Sequence, residues 1–189
     1  MILKSMKLLI APLNYMKIIH ENKFVLDIVI PFFISILVCF FFYHLSYKNM
    51  IGDNSIIYGI NSILGILIGF FIASLAAVST FDRPEMDNIM EGIPPTLHKS
   101  PLTRRQFLCY LFGYLSFVTI NIILISNIIN VFSVDIFNLI STNTFIYILI
   151  FTPYFFLISN IFITLFLGLS FLTENIHKKK NLIINKVEK

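Results

Sequence analysis

Apolar residues form four long runs in this chain, at residues 24–47, 56–81, 107–134 and 145–173. Each run exceeds the roughly 20 residues that a helix needs to cross about 30 Å of hydrocarbon. Because lipid offers the backbone no hydrogen-bond partners, we expect each run to be helical. The pattern therefore predicts an all-α integral membrane protein, with residues 1–189 forming a single domain of four transmembrane helices.

The composition agrees with this pattern. The chain is 57% hydrophobic and 13% charged, whereas a soluble domain carries roughly 25% charged residues. The four runs take up most of the chain, so no separate soluble domain is predicted. The lipid bilayer is the first expected partner.

Basic residues indicate the orientation, because cytoplasmic segments of membrane proteins are enriched in Lys and Arg. Lys48 is the one basic residue in the two short loops predicted to lie outside. The rest lie in the N-terminal segment, the central loop at about 82–106 and the C-terminal tail: Lys4, Lys7, Lys17, Lys23, Arg83, Lys99, Arg104, Arg105, Lys178, Lys179, Lys180, Lys186 and Lys189. We therefore expect a multi-pass membrane protein with both termini and the central loop in the cytoplasm.

The termini are short and polar compared with the spans. Residues 1–22 alternate apolar side chains with lysines and are interrupted at Pro12. This pattern fits either a short amphipathic helix on the membrane surface or a disordered basic leader. The tail after residue 173 combines a lysine cluster with an apolar patch, which favours binding to anionic lipid.

Two residue types inside the spans invite a functional interpretation. Asp27 is an ionisable group near the start of the first span, and such groups often mark functional sites. Its depth is shallow, and contact with water or pairing with Lys23 explains it without a function. Cys39 and Cys109 are interpreted as small apolar residues rather than a disulfide or metal site.

A stripe of small residues runs along the second span. Gly65, Gly69, Ala73 and Ala77 are spaced by four and share one helix face, with Asn61 close to that face. Small residues let membrane helices pack closely. The stripe can pack against another helix of the same chain, or it can support self-association around a pore; the spacing does not separate the two.

Polar groups near the predicted outer end add further pore or packing candidates. Asn127 and Asn130 lie one turn apart in the third span, where an unpaired amide is costly. They are expected to face the bundle, an aqueous cavity or interfacial water. The outer loops, including residues 133–144, carry Asp53 and Asp135 and would weakly favour cations if a conduit exists.

The central loop holds the predicted ligand site. Four prolines break any long helix there, and Thr103 is predicted as the N-cap of the third helix. His98, Lys99, Arg104 and Arg105 form a basic group at the start of this helix. Helix N-termini and arginines both suit phosphate groups, so these residues are the candidates for binding an anionic ligand.

The sequence offers little support for catalysis. No nucleotide-binding P-loop, HExxH, CxxC or Rossmann glycine pattern is present. No nucleophile, base and oxyanion donors are grouped together. We therefore expect a protein that is not an enzyme and that has neither a metal site nor a cofactor.

One block of the chain resembles a known family. Residues 94–97, Pro-Pro-Thr-Leu, and residues 102–114, Leu-Thr-Arg-Arg-Gln-Phe-Leu-Cys-Tyr-Leu-Phe-Gly-Tyr, are similar to a block in small bacterial four-span proteins. These resemble membrane effectors of anti-phage defence of the Hailong type. The resemblance covers mainly residues 79–117; elsewhere only the pattern of spans agrees.

The resemblance implies a homo-oligomeric membrane channel kept closed by a DNA oligomer that a partner nucleotidyltransferase makes. Loss of this ligand during infection would open the channel and depolarise the cell. Composition and periodicity alone leave two alternatives open. One is a non-conducting subunit that anchors a cytoplasmic partner, and the other is a small transporter component, although the two halves of the chain show no clear internal repeat.

Overall fold

The computed structural model describes residues 9–46, 49–52, 54–80, 82–90, 93–142 and 144–187, with side chains described there except at 46, 137, 139, 141, 142 and 173–187. Most of these residues are helical. A 3-10 helix at Ala11–Lys17 and a π-helical turn at Val25–Val29 come before the first α-helix. The remaining elements are α1 (Ile30–Ser46), α2 (Ile56–Thr80), a 3-10 turn (Pro84–Asp87), β1 (Thr96–Leu97), β2 (Ser100–Pro101), α3 (Arg104–Val131), α4 (Ser133–Thr142) and α5 (Thr144–Val187).

Four helical stretches are long and apolar enough to cross a membrane, which confirms the predicted fold class. They are Val25–Leu45, Ile56–Thr80, Arg104–Val131 and Thr144–Leu172. The chain is a multi-pass, all-α membrane protein. Residues 1–8, the first part of the predicted amphipathic or disordered leader, lie outside the described residues.

One helix boundary is confirmed and one differs from the sequence prediction. The third helix begins at Arg104 with Thr103 as its N-cap, as predicted, and Thr103 and Gln106 form a capping box there. Residues 133–144 were expected to be a loop, but Ser133–Thr142 is a helix of its own. Asp135 lies in its first turn, where an acidic residue stabilises the helix dipole.

The membrane helices pack in a row rather than in a closed bundle. Among the described residues, the extensive contacts run from α2 to α3, from α3 to α5 and from α5 to α1. The helix α2 is therefore at one edge of the row. Its buried residues, Ile57, Leu64, Phe71 and Val78, are seven apart and form a single line toward α3.

The N-terminal segment and the loop between α2 and α3 lie together at one end of the row, which we call the loop end. Tyr15 and Ile18 are buried there, and the 3-10 helix that carries Tyr15 packs on α3. Ile19 and Thr96 exchange two backbone hydrogen bonds, of 2.9 and 3.0 Å. The predicted leader is thus structured from residue 11 onward and is joined to the loop.

Candidate functional site

A tight hairpin presents two of the four predicted ligand-binding residues. Strands β1 and β2 are antiparallel, with Leu97 paired with Ser100. His98 and Lys99 form the connecting turn and are both exposed, with φ angles of 50° and 67°. Two residues at positive φ match the twist of a two-residue hairpin. The turn therefore presents both side chains to solvent.

Arg105, a third predicted ligand residue, joins three elements. Its Nε and Nη2 donate to the two carboxylate oxygens of Asp87 at 2.7 and 3.0 Å. Its Nη1 donates to the Val78 carbonyl at 2.9 Å, near the C-terminus of α2. The last carbonyls of a helix lack partners within it and attract cations. Arg105 thus fastens the end of α2 to the start of α3.

This arrangement changes the interpretation of the basic loop. The hydrogen bonds from Arg105 hold the pKa of Asp87 below its ordinary value of 3.8, so the carboxylate stays ionised beside the guanidinium. An anionic ligand would have to compete with Asp87 for Arg105. His98 and Lys99 are exposed on the hairpin, while Arg104 is half-buried at the first residue of α3.

A buried polar cluster lies beneath this loop, where the first span begins. Lys23 and Asp27 form a salt bridge and are 8% and 2% exposed. The Tyr15 hydroxyl donates to Asp27 Oδ1 at 3.4 Å, and Lys23 Nζ lies 4.1 Å from the centre of the Tyr15 ring. Burial, and then the Asp27 charge, raise the pKa of Tyr15 well above its ordinary value. Its hydroxyl therefore remains a neutral donor.

Pro31 explains why this cluster reaches the last span. Proline has no N–H, so Pro31 cannot donate to the carbonyl of Asp27 one turn earlier. The Asn160 side chain of α5 donates to that carbonyl through Nδ2 at 2.7 Å. Asp27 itself lies within the π-helical turn at Val25–Val29. A carbonyl freed by proline is thus satisfied by a neighbouring helix, as membrane helices require.

Tyr114 of α3 completes the cluster. Its hydroxyl donates to Asn160 Oδ1 at 2.7 Å. Its ring stacks on the Tyr15 ring with centroids 4.8 Å apart. The cluster of Tyr15, Lys23, Asp27, Tyr114 and Asn160 therefore connects the N-terminal segment with the start of the first span, α3 and α5. We call it the Asp27 cluster.

The small-residue stripe lies away from the rest of the protomer. Gly65, Gly69, Ala73 and Ala77 are exposed, on the side of α2 roughly opposite its buried line. No described heavy atom outside the local helix lies within 4 Å of a Cβ placed at either glycine. The stripe therefore does not pack against another helix within the described part of the chain. Asn61 is half-buried near the other end of α2.

The two candidate asparagines of α3 lie at the end of the row opposite the loop. Asn127 is exposed. Asn130 is half-buried, and its Oδ1 has no hydrogen-bond partner among the described residues, as is also the case for Asn61 Oδ1. The structure thus does not bring these amides together with the basic loop.

The Asp27 cluster contains residues that sequence reasoning missed. The structure confirms the predicted pairing of Asp27 with Lys23. The sequence did not predict that Tyr15, Tyr114 and Asn160 belong to the same cluster. One signal was present: Pro31 follows Asp27 by four residues and must leave its carbonyl without a helical donor. The identity of the replacement donor depends on how α1 and α5 pack, which the pattern does not give.

The described residues contain no group of three or more His, Cys, Asp or Glu side chains placed to hold a metal ion. The site thus consists of the basic hairpin, the Arg105 contacts to Asp87 and Val78, which we call the clamp, and the Asp27 cluster.

No family model, curated protein or solved structure matches this chain.

Proposed function

We propose that this protein is a homo-oligomeric ion channel of the bacterial inner membrane that acts as a non-enzymatic effector of anti-phage defence by depolarising the cell. Its gate responds to a cytoplasmic anionic ligand, a nucleotide or a DNA oligomer made by a partner nucleotidyltransferase. The observation that carries the proposal is the outward-facing stripe on α2.

The stripe supports oligomerisation because α2 is so little covered by its own chain. Of the most apolar stretch of α2, 11% is buried, against 50% for α3. Exposed apolar residues are ordinary in lipid, but an exposed face of Gly and Ala gives lipid tails little to contact and lets another backbone approach closely. The partner proposed for this face is the α2 helix of a second copy of the same protein, since every cell that makes the protein contains further copies of it.

The loop end supports regulation by an anion. The His98–Lys99 turn is exposed, and the Arg105 guanidinium joins α2 to α3. A phosphate that replaces Asp87 on Arg105 would therefore act directly at the helix that carries the stripe. Bidentate contact between arginine and phosphate is a strong form of recognition.

Conductance is the decisive test. Purified protein in potassium-loaded liposomes is expected to release the ion, and a mixed-sequence single-stranded DNA oligonucleotide is expected to change the release rate. Liposomes that stay impermeable with and without the oligonucleotide would contradict the channel. Stable co-purification with a cytoplasmic protein and no ion flux would favour a membrane anchor instead.

Binding is tested separately with a fluorescent form of the same oligonucleotide and detergent-solubilised protein. The variant His98→Asn/Lys99→Asn removes charge from the turn but keeps its shape, because asparagine tolerates positive φ. We expect it to bind several-fold more weakly, since each lost phosphate contact weakens binding. Asp87→Asn is expected to bind more tightly, because it frees Arg105 from its competitor. Unchanged affinity in both variants would exclude this ligand site.

A further inference from the structure

The loop end contains a continuous connection between the exposed hairpin and the first membrane helix. It begins at the His98–Lys99 turn, next to β1. Thr96 of β1 is paired with Ile19 through two backbone hydrogen bonds. Residues that exchange both hydrogen bonds hold each other at fixed separation. Movement of the hairpin is therefore passed to Ile19.

A tight turn follows Ile19 and leads into the first span. The Lys23 N–H donates to the His20 carbonyl at 3.3 Å, and the Leu26 N–H donates to the Asn22 carbonyl at 3.0 Å. Asn22 has a φ of 61°, which closes the turn. Because this turn is short and hydrogen-bonded, Ile19 and Lys23 are held in a fixed relation.

Lys23 then connects the turn to the Asp27 cluster. Its ammonium pairs with Asp27 one helical turn later and lies over the Tyr15 ring. The same N-terminal segment that is paired with the hairpin buries Tyr15 against Tyr114. Two routes thus lead from the hairpin pairing to Asp27, one through Lys23 and one through Tyr15, and these two side chains also contact each other.

Asp27 lies in the least regular part of the first span, in the π-helical turn just before α1. Its carbonyl is bound by Asn160 rather than by the N–H of residue 31, and the surrounding turn is π-helical. Such π-helical turns occur frequently at functional sites, and proline removes the hydrogen bond that would make the helix rigid there. This turn therefore joins the N-terminal segment to α1 at a place where the regular helical hydrogen bonding is interrupted.

We propose that the Ile19–Thr96 pairing is the link through which a ligand at the His98–Lys99 turn sets the position of the first membrane helix. The ligand part of this inference rests on the proposed function. A ligand shifts an equilibrium only through its differential affinity for two states. The two states here are the paired one and one in which Ile19 has separated from Thr96 and the Asp27 cluster is loosened.

The link is tested by removing the hydrogen bond from the Ile19 N–H to the Thr96 carbonyl while the rest of the loop end is kept unchanged. Ile19→Pro deletes the N–H that donates to Thr96, and Ile18 already has the extended backbone that a residue before proline prefers. Ile19→Ala is the matched control, since the side chain is exposed and its N–H is kept. Amide exchange of the full chain in detergent at Val25–Val29 is expected to rise about fivefold in Ile19→Pro and to stay unchanged in Ile19→Ala.

Equal exchange at Val25–Val29 in the two variants would overturn the link, whatever the hairpin binds. If Ile19→Pro does not fold, Ile19→Cys/Thr96→Cys in a Cys39→Ala/Cys109→Ala background replaces it. Such a pair lies about 5.5 Å apart at Cα, within reach of a disulfide. The oxidised form is expected to exchange more slowly at Val25–Val29 than the reduced form, and equal rates would contradict the link.

The same oligonucleotide then separates this inference from the proposed function. In the unmodified protein, binding is expected to slow exchange at Val25–Val29, and Ile19→Pro is expected to bind but to lose this slowing. Binding without slowing in the unmodified protein would overturn the link and leave the ligand site in place. Absence of binding would remove the ligand site, while the comparison of Ile19→Pro with Ile19→Ala still decides the mechanical link.

Discussion

At the scale of single residues, Pro31 determines which contacts the first span makes. A proline one turn after Asp27 leaves a carbonyl without its helical donor. Asn160 supplies the missing donor and also accepts from Tyr114. A single amide side chain therefore satisfies one group at the start of the first span and one on α3, and its removal affects three elements.

This arrangement predicts a large effect of Asn160→Leu. The substitution leaves the Asp27 carbonyl and the Tyr114 hydroxyl without these partners, at a cost of about 1–3 kcal/mol in the free energy of unfolding. Thermal unfolding in detergent measures it. Asn121→Leu is the control, because Asn121 is exposed and bonds to the Phe117 carbonyl of its own helix. Equal loss of stability in both variants would show that Asn160 has no special role.

The Arg105–Asp87 pair gives a prediction that depends on pH. Since the folded pKa of Asp87 lies below the ordinary 3.8, the pair stabilises the fold above that value and its contribution is lost as the pH falls through the folded pKa. Asp87→Asn is therefore expected to lower the unfolding temperature at pH 7, by a difference that shrinks below about pH 3.8.

The control for this pair is Asp135→Asn, which changes an exposed carboxylate at the opposite end of the helices. Its effect on the unfolding temperature shows how much the loss of a single carboxylate changes stability without the Arg105 contacts. A difference between Asp87→Asn and the unmodified protein that persists undiminished at pH 3 would contradict the assignment of this stabilisation to the ionised carboxylate.

The sequence predicted contacts between residues close together in the chain, but not contacts between residues far apart in it. Thr103 as an N-cap was predicted and is confirmed, because a cap depends on its own next three residues. The pairing of Lys23 with Asp27 is equally local. The Arg105 contacts to Asp87 and Val78 were missed, because they depend on how the loop folds back on α2, which no periodicity records.

At the scale of elements, the start of α3 determines where the loop meets the membrane. Thr103 accepts from the Gln106 N–H, and the Gln106 side chain accepts from the Thr103 N–H. The box also sets the position of Arg105 in the first turn. A loosened cap would therefore disturb the clamp between α2 and α3 as well as the helix end.

Thr103→Ala is expected to lower stability by about 1 kcal/mol, since it removes the cap from the helix N-terminus. Thermal unfolding in detergent measures this loss. Thr80→Ala is the matched control, because the Thr80 hydroxyl bonds only to carbonyls of its own last turn among the contacts described. A loss no larger than that of the control would indicate that the cap is not needed once the helix is packed.

The helix α4 was missed for a different reason. Its sequence, SVDIFNLIST, has an apolar and a polar face, but it is only ten residues long and follows directly on a membrane span. The Ile136 N–H donates to the Phe132 carbonyl at 3.0 Å, across the junction with α3. A helix that continues from its neighbour can be this short, because the preceding turn already supplies its first hydrogen-bond partners.

At the scale of the whole molecule, the open row of helices is the feature that composition could not predict. Four spans follow from the lengths of the apolar runs. The order α2, α3, α5, α1 does not, because in lipid all four helices are apolar around most of their surface. That order leaves the stripe on an outer edge, where a second copy can reach it.

The exposed stripe gives a prediction on assembly. Gly65→Leu/Gly69→Leu is expected to reduce or abolish the oligomer, because bulky side chains keep two helices apart. Gly65→Ala/Gly69→Ala is expected to retain it, since alanine is still small. Both pairs of side chains start in open space within the protomer, with no described atom within 4 Å of either Cβ. Light scattering with chromatography in detergent measures the mass.

A monomeric unmodified protein, or an oligomer that withstands the leucine pair, would contradict association through this face. Potassium release from liposomes adds a second measurement. Loss of both the oligomer and the release in the leucine pair, with both kept in the alanine pair, would connect assembly with conductance.

The hydrogen bond between Asn160 and Asp27 has a consequence for biosynthesis. The two residues are 133 positions apart in the chain. At a synthesis rate of roughly 5–20 residues per second, about 7–27 s pass between their appearance at the ribosome. During this interval the first span is already made while the donor for its proline-freed carbonyl is not. The fourth span therefore supplies the hydrogen-bond donor that the first span lacks until the fourth has been synthesised.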